Sequence, residues 1–346
     1  MKRVLHLLPS DRFSGAENVV CQIIDMFCNS DEYEMVYCSP AGPIQEILVA
    51  RGISFFALED FSFKSIKKVI ESYRPDIVHA HDMRACVWAA TIPCKAEVIG
   101  HIHNNSFDSR KISVKTILFA CAALRIKRII WVSEAAFKGF KFHSFFQRKS
   151  VKLNNIIDIE KIRKKASEDK FAYKYDVVYL GRFTYPKNPH RLIDVLERVV
   201  AKKPSVQVGL IGTGELEEEI KCIAAKKGLL SNLTFMGFQT NPYGVLRDAK
   251  AMLMTSRWEG LPMCVLEAMS LGVPVVSTPT DGICDVVIHD VNGYLENSDE
   301  ALADRILELL DCDKLRKEFS RNACVRAEQL TDIEAYKSTL RKVYGG

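Results

Sequence analysis

The chain has 346 residues, 48% of them apolar and 26% charged. That is long enough for two domains of ordinary size and apolar enough to give each a core, which excludes a disordered or low-complexity chain. The net charge of +5 is uneven: residues 1–170 carry 26 Lys/Arg and 19 Asp/Glu, a net +7, and the remainder carries 22 and 24, a net −2.

The excess positive charge in the first half points to something anionic, with nucleic acid and phospholipid both candidates. Eleven cysteines are scattered, with no C-x-x-C and no zinc spacing. Unclustered thiols in odd number suit a reducing compartment, the cytosol. No run approaches about 18 uncharged apolar residues, so no membrane span is expected.

Strand Arg3–Leu8 comes first, and its apolar run is too short for a signal peptide. Phe13-Ser14-Gly15-Ala16-Glu17 then opens a helix, Glu17–Phe27, whose start favours anions. Strands Glu34–Ser39, Asp76–Ala80, Glu97–His103 and Arg128–Ser133 follow, with a helix over Lys64–Ser72. Two of these strands end in histidine pairs, His79-Ala80-His81-Asp82 and Gly100-His101-Ile102-His103-Asn104. Alternation puts each pair on one face, but no third ligand is evident, so no metal is expected. Residues 137–149, FKGFKFHSFFQRK, interleave five phenylalanines with four basic residues. Such a segment suits a membrane interface or a half-buried helix better than a base-stacking platform.

The charged stretch 161–175 reads as the junction between a first domain, 1–165, and a second, 166–330. Strands Asp176–Leu180, Gln207–Gly212, Leu233–Met236, Ala251–Thr255 and Val273–Ser277 alternate with helices His190–Ala201, Leu216–Lys226 and Leu302–Leu310. A last helix, Ile333–Val343, within residues 331–346, is expected to pack back on the first domain. Alternating strands and helices, twice over, predict an α/β protein of two doubly wound, Rossmann-like domains. In such sheets ligands bind beyond the carboxyl ends of the strands.

The loops there are informative. After Ala251–Thr255 comes Trp258-Glu259-Gly260-Leu261-Pro262, and Glu267 follows within a helix that Pro262 is placed to start. A carboxylate accepts from both hydroxyls of a vicinal diol, as sugars and riboses present. Either glutamate alone would read as an ordinary solvated acid; the pair, in this strand–loop–Pro–helix–Gly–Pro setting, reads as a binding device. After Asp176–Leu180, Gly181-Arg182…Lys187-Asn188 sets two cations at a strand end, as a diphosphate needs. Gly212-Thr213-Gly214 and Met236-Gly237-Phe238 follow the next two strands.

The run E-G-x-P-x-x-x-x-E-A-M-x-x-G-x-P-V-V, from Glu259 to Val276, resembles the signature of retaining glycosyltransferases of the GT-B fold. That group includes glycogen synthase-like, sucrose-related and capsular-polysaccharide transferases. The resemblance implies two Rossmann-like domains facing a cleft and a nucleotide-sugar donor such as a UDP- or GDP-sugar. It implies no cofactor and no metal. Glu259 and His103 would orient the donor sugar, with Gly260, Leu261 and Pro262 as its loop. Arg182, Lys187 and Gly15 would hold the diphosphate. Glu267, Gly212, Gly214 and Gly237 would hold the ribose and base. Where the family has two adjacent glycines, this chain has Ser14-Gly15. Ser133-Glu134 and Asn154–Asp158 also resemble family segments. The implied acceptor is a saccharide or lipid-linked saccharide, with peripheral membrane contact through 137–149, a cytoplasmic location and no nucleic acid. A sugar-nucleotide epimerase on the same fold, and a non-catalytic nucleotide-sugar binder, are the alternatives.

Overall fold

The computed structural model describes residues 1–103 and 110–345. They form two units, Met1–Asn155 with Ile333–Gly346, and Ile156–Asp332. Unit 1 holds a seven-stranded sheet: β1 (Lys2–Leu7), β2 (Tyr33–Pro40), β3 (Phe55–Leu58), β4 (Ile77–His81), β5 (Glu97–Ile102), β6 (Arg128–Trp131) and β7 (Ser150–Lys152). Its order is β3-β2-β1-β4-β5-β6-β7. Unit 2 holds β8 (Val177–Leu180), β9 (Val208–Ile211), β10 (Leu233–Gly237), β11 (Ala251–Met254), β12 (Val275–Ser277) and β13 (Gly293–Leu295). Its order is β10-β9-β8-β11-β12-β13. Every pairing in both sheets is parallel.

Parallel strands are covered on both faces and therefore read as continuous apolar runs; Val208–Ile211 and Ala251–Met254 are buried at every position. In each sheet the strand order reverses once, between β1 and β4 and between β8 and β11. These two switch points are where this class of fold makes its crevices.

The division falls at 155/156 rather than at 165/166. The charged stretch begins with a helix, Ile159–Glu168, whose Ile159, Ile162 and Ala166 are buried within unit 2. Spacing of three and four residues hides a core stripe among lysines. The last helix, Ile333–Val343, groups with unit 1 and buries Tyr336, Leu340 and Val343. Among the described residues no helix is long and apolar enough to cross a membrane.

Candidate donor site

In unit 2 the loops after β8 and β11 meet at the switch point. Lys187 Nζ lies 2.6 Å from Glu259 Oε1, and both side chains are largely buried. Ser256 Oγ donates to the same oxygen at 2.6 Å, while Oε2 receives no bond among the described residues. Burial by itself would lower the Lys187 pKa; the Glu259 carboxylate outweighs it, and the ammonium is held above its ordinary value. The loops are stitched together independently of this pair. Arg257 N donates to Pro186 O at 2.8 Å, and the Arg257 guanidinium donates to Asn188 Oδ1 at 2.8 Å and lies over the Tyr185 ring. Asn188 turns the chain at φ 52° and is buried.

Arg182 stands exposed on the β8 loop and forms no ion pair among the described residues. Its backbone is fixed by Tyr179, whose buried hydroxyl donates to Arg182 O at 2.9 Å. Gly212 and Gly214 sit beside this loop. A Cβ on Gly212 would overlap the Gly181 carbonyl, and one on Gly214 would overlap the Phe183 carbonyl. These glycines permit close approach of one loop to another. Gly237, at φ 64°, accepts from Gly212 N at 2.8 Å and faces open space.

Gly260, Leu261 and Pro262 are buried and lead into the helix Met263–Ser270. Pro262 occupies the cap position, with ψ 113°, rather than the first helical residue. Glu267 is the fifth residue of that helix, buried, and accepts from Tyr243 Oη at 3.2 Å. Between the two glutamates Cys264 is pushed up to about 12 by burial, so its thiol stays protonated. Ser256, Tyr243 and Gly282 were not legible as site residues. Gly282 lacks a Cβ because one would overlap the Gly260 carbonyl and press on that of Glu259.

In unit 1, Gly15 starts the helix Gly15–Phe27 at the β1 end, with open space where a Cβ would be. Ser14 Oγ donates to the buried Glu17 carboxylate. His103 directly follows β5 and is buried; Asn104 lies outside the described residues. The structure corrects one expectation here. His6 of β1 joins the pair His79 and His81, and His81 itself joins the pair His101 and His103. His6, His79 and His81, and again His81, His101 and His103, bring ring nitrogens within 4.8 Å of one another. Nitrogen pairing runs through three rings: His6 Nδ1 to His81 Nε2 at 3.1 Å, then His81 Nδ1 to His103 Nε2 at 2.8 Å. The tautomers of the three are thereby set in one sense along the chain. Burial lowers the pKa of His6 and His103 to about 3, so the rings are neutral at pH 7. His103 Nδ1 has no partner among the described residues. Four of the five phenylalanines of 137–149 lie in or against the unit 1 core; only Phe145 is exposed.

This construction matches known proteins. Residues 158–326, nearly all of unit 2, match the family model described as Glycosyl transferases group 1. HepE of Anabaena, solved with UDP-glucose, superposes with a TM-score of 0.85 at 20% identity, covering 99% of both chains. A mutant of TarM of Staphylococcus aureus, solved with UDP, superposes at 0.78 and 17% identity over the full length of both. The fold is therefore GT-B. In sequence the chain is 26% identical to an uncharacterised glycosyltransferase of Methanocaldococcus jannaschii, over 78% of this chain and 79% of that one. It is 25% identical to the capsular polysaccharide biosynthesis glycosyltransferase CapH of Staphylococcus aureus, over 80% and 81%. The chain is a glycosyltransferase.

Proposed function

We propose that the protein is a retaining glycosyltransferase that moves a sugar from a UDP-sugar to a hydroxyl of a saccharide or lipid-linked saccharide, in the assembly of a cell-surface polymer. The observation that carries this reading is the buried Lys187–Glu259 pair at the unit 2 switch point, with Arg182 on the same loop system. Glu259 Oε2 is placed to accept from sugar hydroxyls. Arg182 and Lys187 stabilise the charge that builds on the departing diphosphate, an electrostatic role. Glu267 takes the ribose diol, oriented by Tyr243. His103 keeps the sugar-orienting role given by the family resemblance. Retention fits same-face attack through an oxocarbenium-like state, with the diphosphate accepting the acceptor's proton. The uridine base is favoured because HepE and TarM were solved with UDP. The saccharide acceptor is favoured by CapH and by an Escherichia coli galactosyltransferase acting on a diphosphoundecaprenol-linked sugar.

The test is thermal stabilisation by UDP, GDP and ADP, with and without EDTA, in the natural protein and in Arg182→Ala. A ligand at about 100 times its dissociation constant stabilises by roughly 2.7 kcal/mol. UDP should stabilise regardless of EDTA, and Arg182→Ala should lose the response. Equal responses in both proteins would overturn the diphosphate assignment. A β-linked product from an α-linked donor would overturn retention.

A further inference from the structure

The helix Val114–Arg125 of unit 1 is apolar on the wrong side. Its inward face is Thr116, Phe119, Ala122 and Ala123, all buried. Its outward face is apolar as well: Val114 is 76% exposed, Ile117 46%, Leu118 50% and Leu124 70%. Ile112, just before the helix, is 66% exposed. Spacing of three and four residues lines these up as one stripe. Phe145, 81% exposed, stands on a later turn, His143–Lys149. Its turn is fixed at the helix C-terminus, where Lys149 Nζ donates to the carbonyls of Ala123, Leu124 and Ile126. An exposed apolar stripe of this kind marks an interaction surface.

The charge around the stripe identifies its partner. Residues 110–152 contain 11 Lys/Arg and a single acid, Glu134. Lys115 and Arg125 are exposed on the helix itself, and Lys111, Arg128, Lys141 and Arg148 are exposed nearby. A second copy of the same surface would set these cations against one another. An anionic bilayer complements them, and its interface also accepts the apolar stripe.

We propose that this face, the outward side of Val114–Arg125 with Phe145, docks the protein on a bilayer containing anionic phospholipid. The helix lies in the interface, with Val114, Ile117, Leu118 and Leu124 toward the acyl chains and the cations at the headgroups. This shifts the membrane surface away from the bulk of 137–149, whose other phenylalanines belong to the core. It deepens the reading of a lipid-linked acceptor, and for that link it rests on the proposed function.

The test is co-sedimentation of the full chain with phosphatidylcholine vesicles, with and without about 30% phosphatidylglycerol, at low and high salt. The natural protein should partition at least about tenfold better onto the anionic vesicles, and less at high salt. Leu124→Asp/Phe145→Asp, at two strongly exposed positions, should lose about tenfold or more of that partition with its melting temperature kept. Lys115→Glu/Arg125→Glu should lose the preference for phosphatidylglycerol. Equal partition onto both vesicle types, or unchanged partition of Leu124→Asp/Phe145→Asp, overturns the proposal. So does a dimer in sedimentation velocity that Leu124→Asp/Phe145→Asp dissociates, without vesicle binding by the natural protein. Stabilisation by UDP, measured on the same samples, reports on the donor reading separately.

Discussion

Lys187 and Glu259 depend on each other. Each is buried, and each finds its counter-charge in the other. Removing one partner of a buried pair leaves a charge without compensation, which costs about 3–5 kcal/mol. Lys187→Met should therefore lower the melting temperature far more than a surface substitution. Lys187→Met/Glu259→Gln should recover most of the loss, since no buried charge then remains. A double variant as unstable as the single one would show that packing, not charge, is at stake. The Lys187 ammonium does not titrate in the working range. Lys187 is held above its ordinary 10.5, so its contribution is complete below that pH and is lost only as pH rises through the raised value.

At the scale of elements, the site is built by loops that touch backbone to backbone. Gly212 combines φ 133° with a neighbouring carbonyl where its Cβ would go. Gly212→Ala must strain the chain and push away the loop that carries Arg182. The backbone strain is about 1–3 kcal/mol, and stabilisation by UDP should fall by about tenfold or more, because small misplacements cost orders of magnitude. Gly228→Ala is the control: φ is 71° there, but no atom stands within 4 Å. It should lose stability without losing the UDP response, and equal loss of response in both variants would refute the loop-packing argument. The same elements show what a sequence can disclose. Ten strands were legible because buried parallel strands are runs of branched apolar residues. β3, β7 and β13 were not: they have four, three and three residues, and β7 reads Ser-Val-Lys. Glu259, Glu267, Arg182 and Lys187 were legible as a motif following strand ends. Ser256, Tyr243 and Gly282 were not, because each acts through a partner distant in sequence or through a missing Cβ. His6 could have been found: it sits in β1 at the register of His79.

For the molecule as a whole, the histidine chain sets a limit in acid. His6, His79, His81 and His101 come from three adjacent strands, His103 directly follows the third, and all five are buried. Tyr344, just beyond the last helix of the chain, adds a hydroxyl 2.8 Å from His79 Nδ1. Burial lowers the pKa of all five, and for His79, His81 and His101 the neighbouring rings lower it further. A lowered pKa means that the unfolded chain binds protons the folded one refuses. Stability then rises with pH between the folded and unfolded values and levels off above the ordinary 6.5. With His6 and His103 near 3, each of these two costs about 2 kcal/mol at pH 5 relative to the plateau. Two such groups already consume a large part of the stability of an ordinary domain. Denaturant midpoints should therefore be flat from pH 8 to 7 and fall steeply towards pH 5. His101→Phe should flatten that fall, because His101 has both ring nitrogens unpartnered among the described residues. It lies parallel to the His79 ring, so a phenyl group keeps the stacking and removes one protonation site from the buried chain. A midpoint that holds steady from pH 7 to 5 would mean that the rings are protonated or solvated in the folded protein, and the neutral chain from His6 to His103 would have to be abandoned.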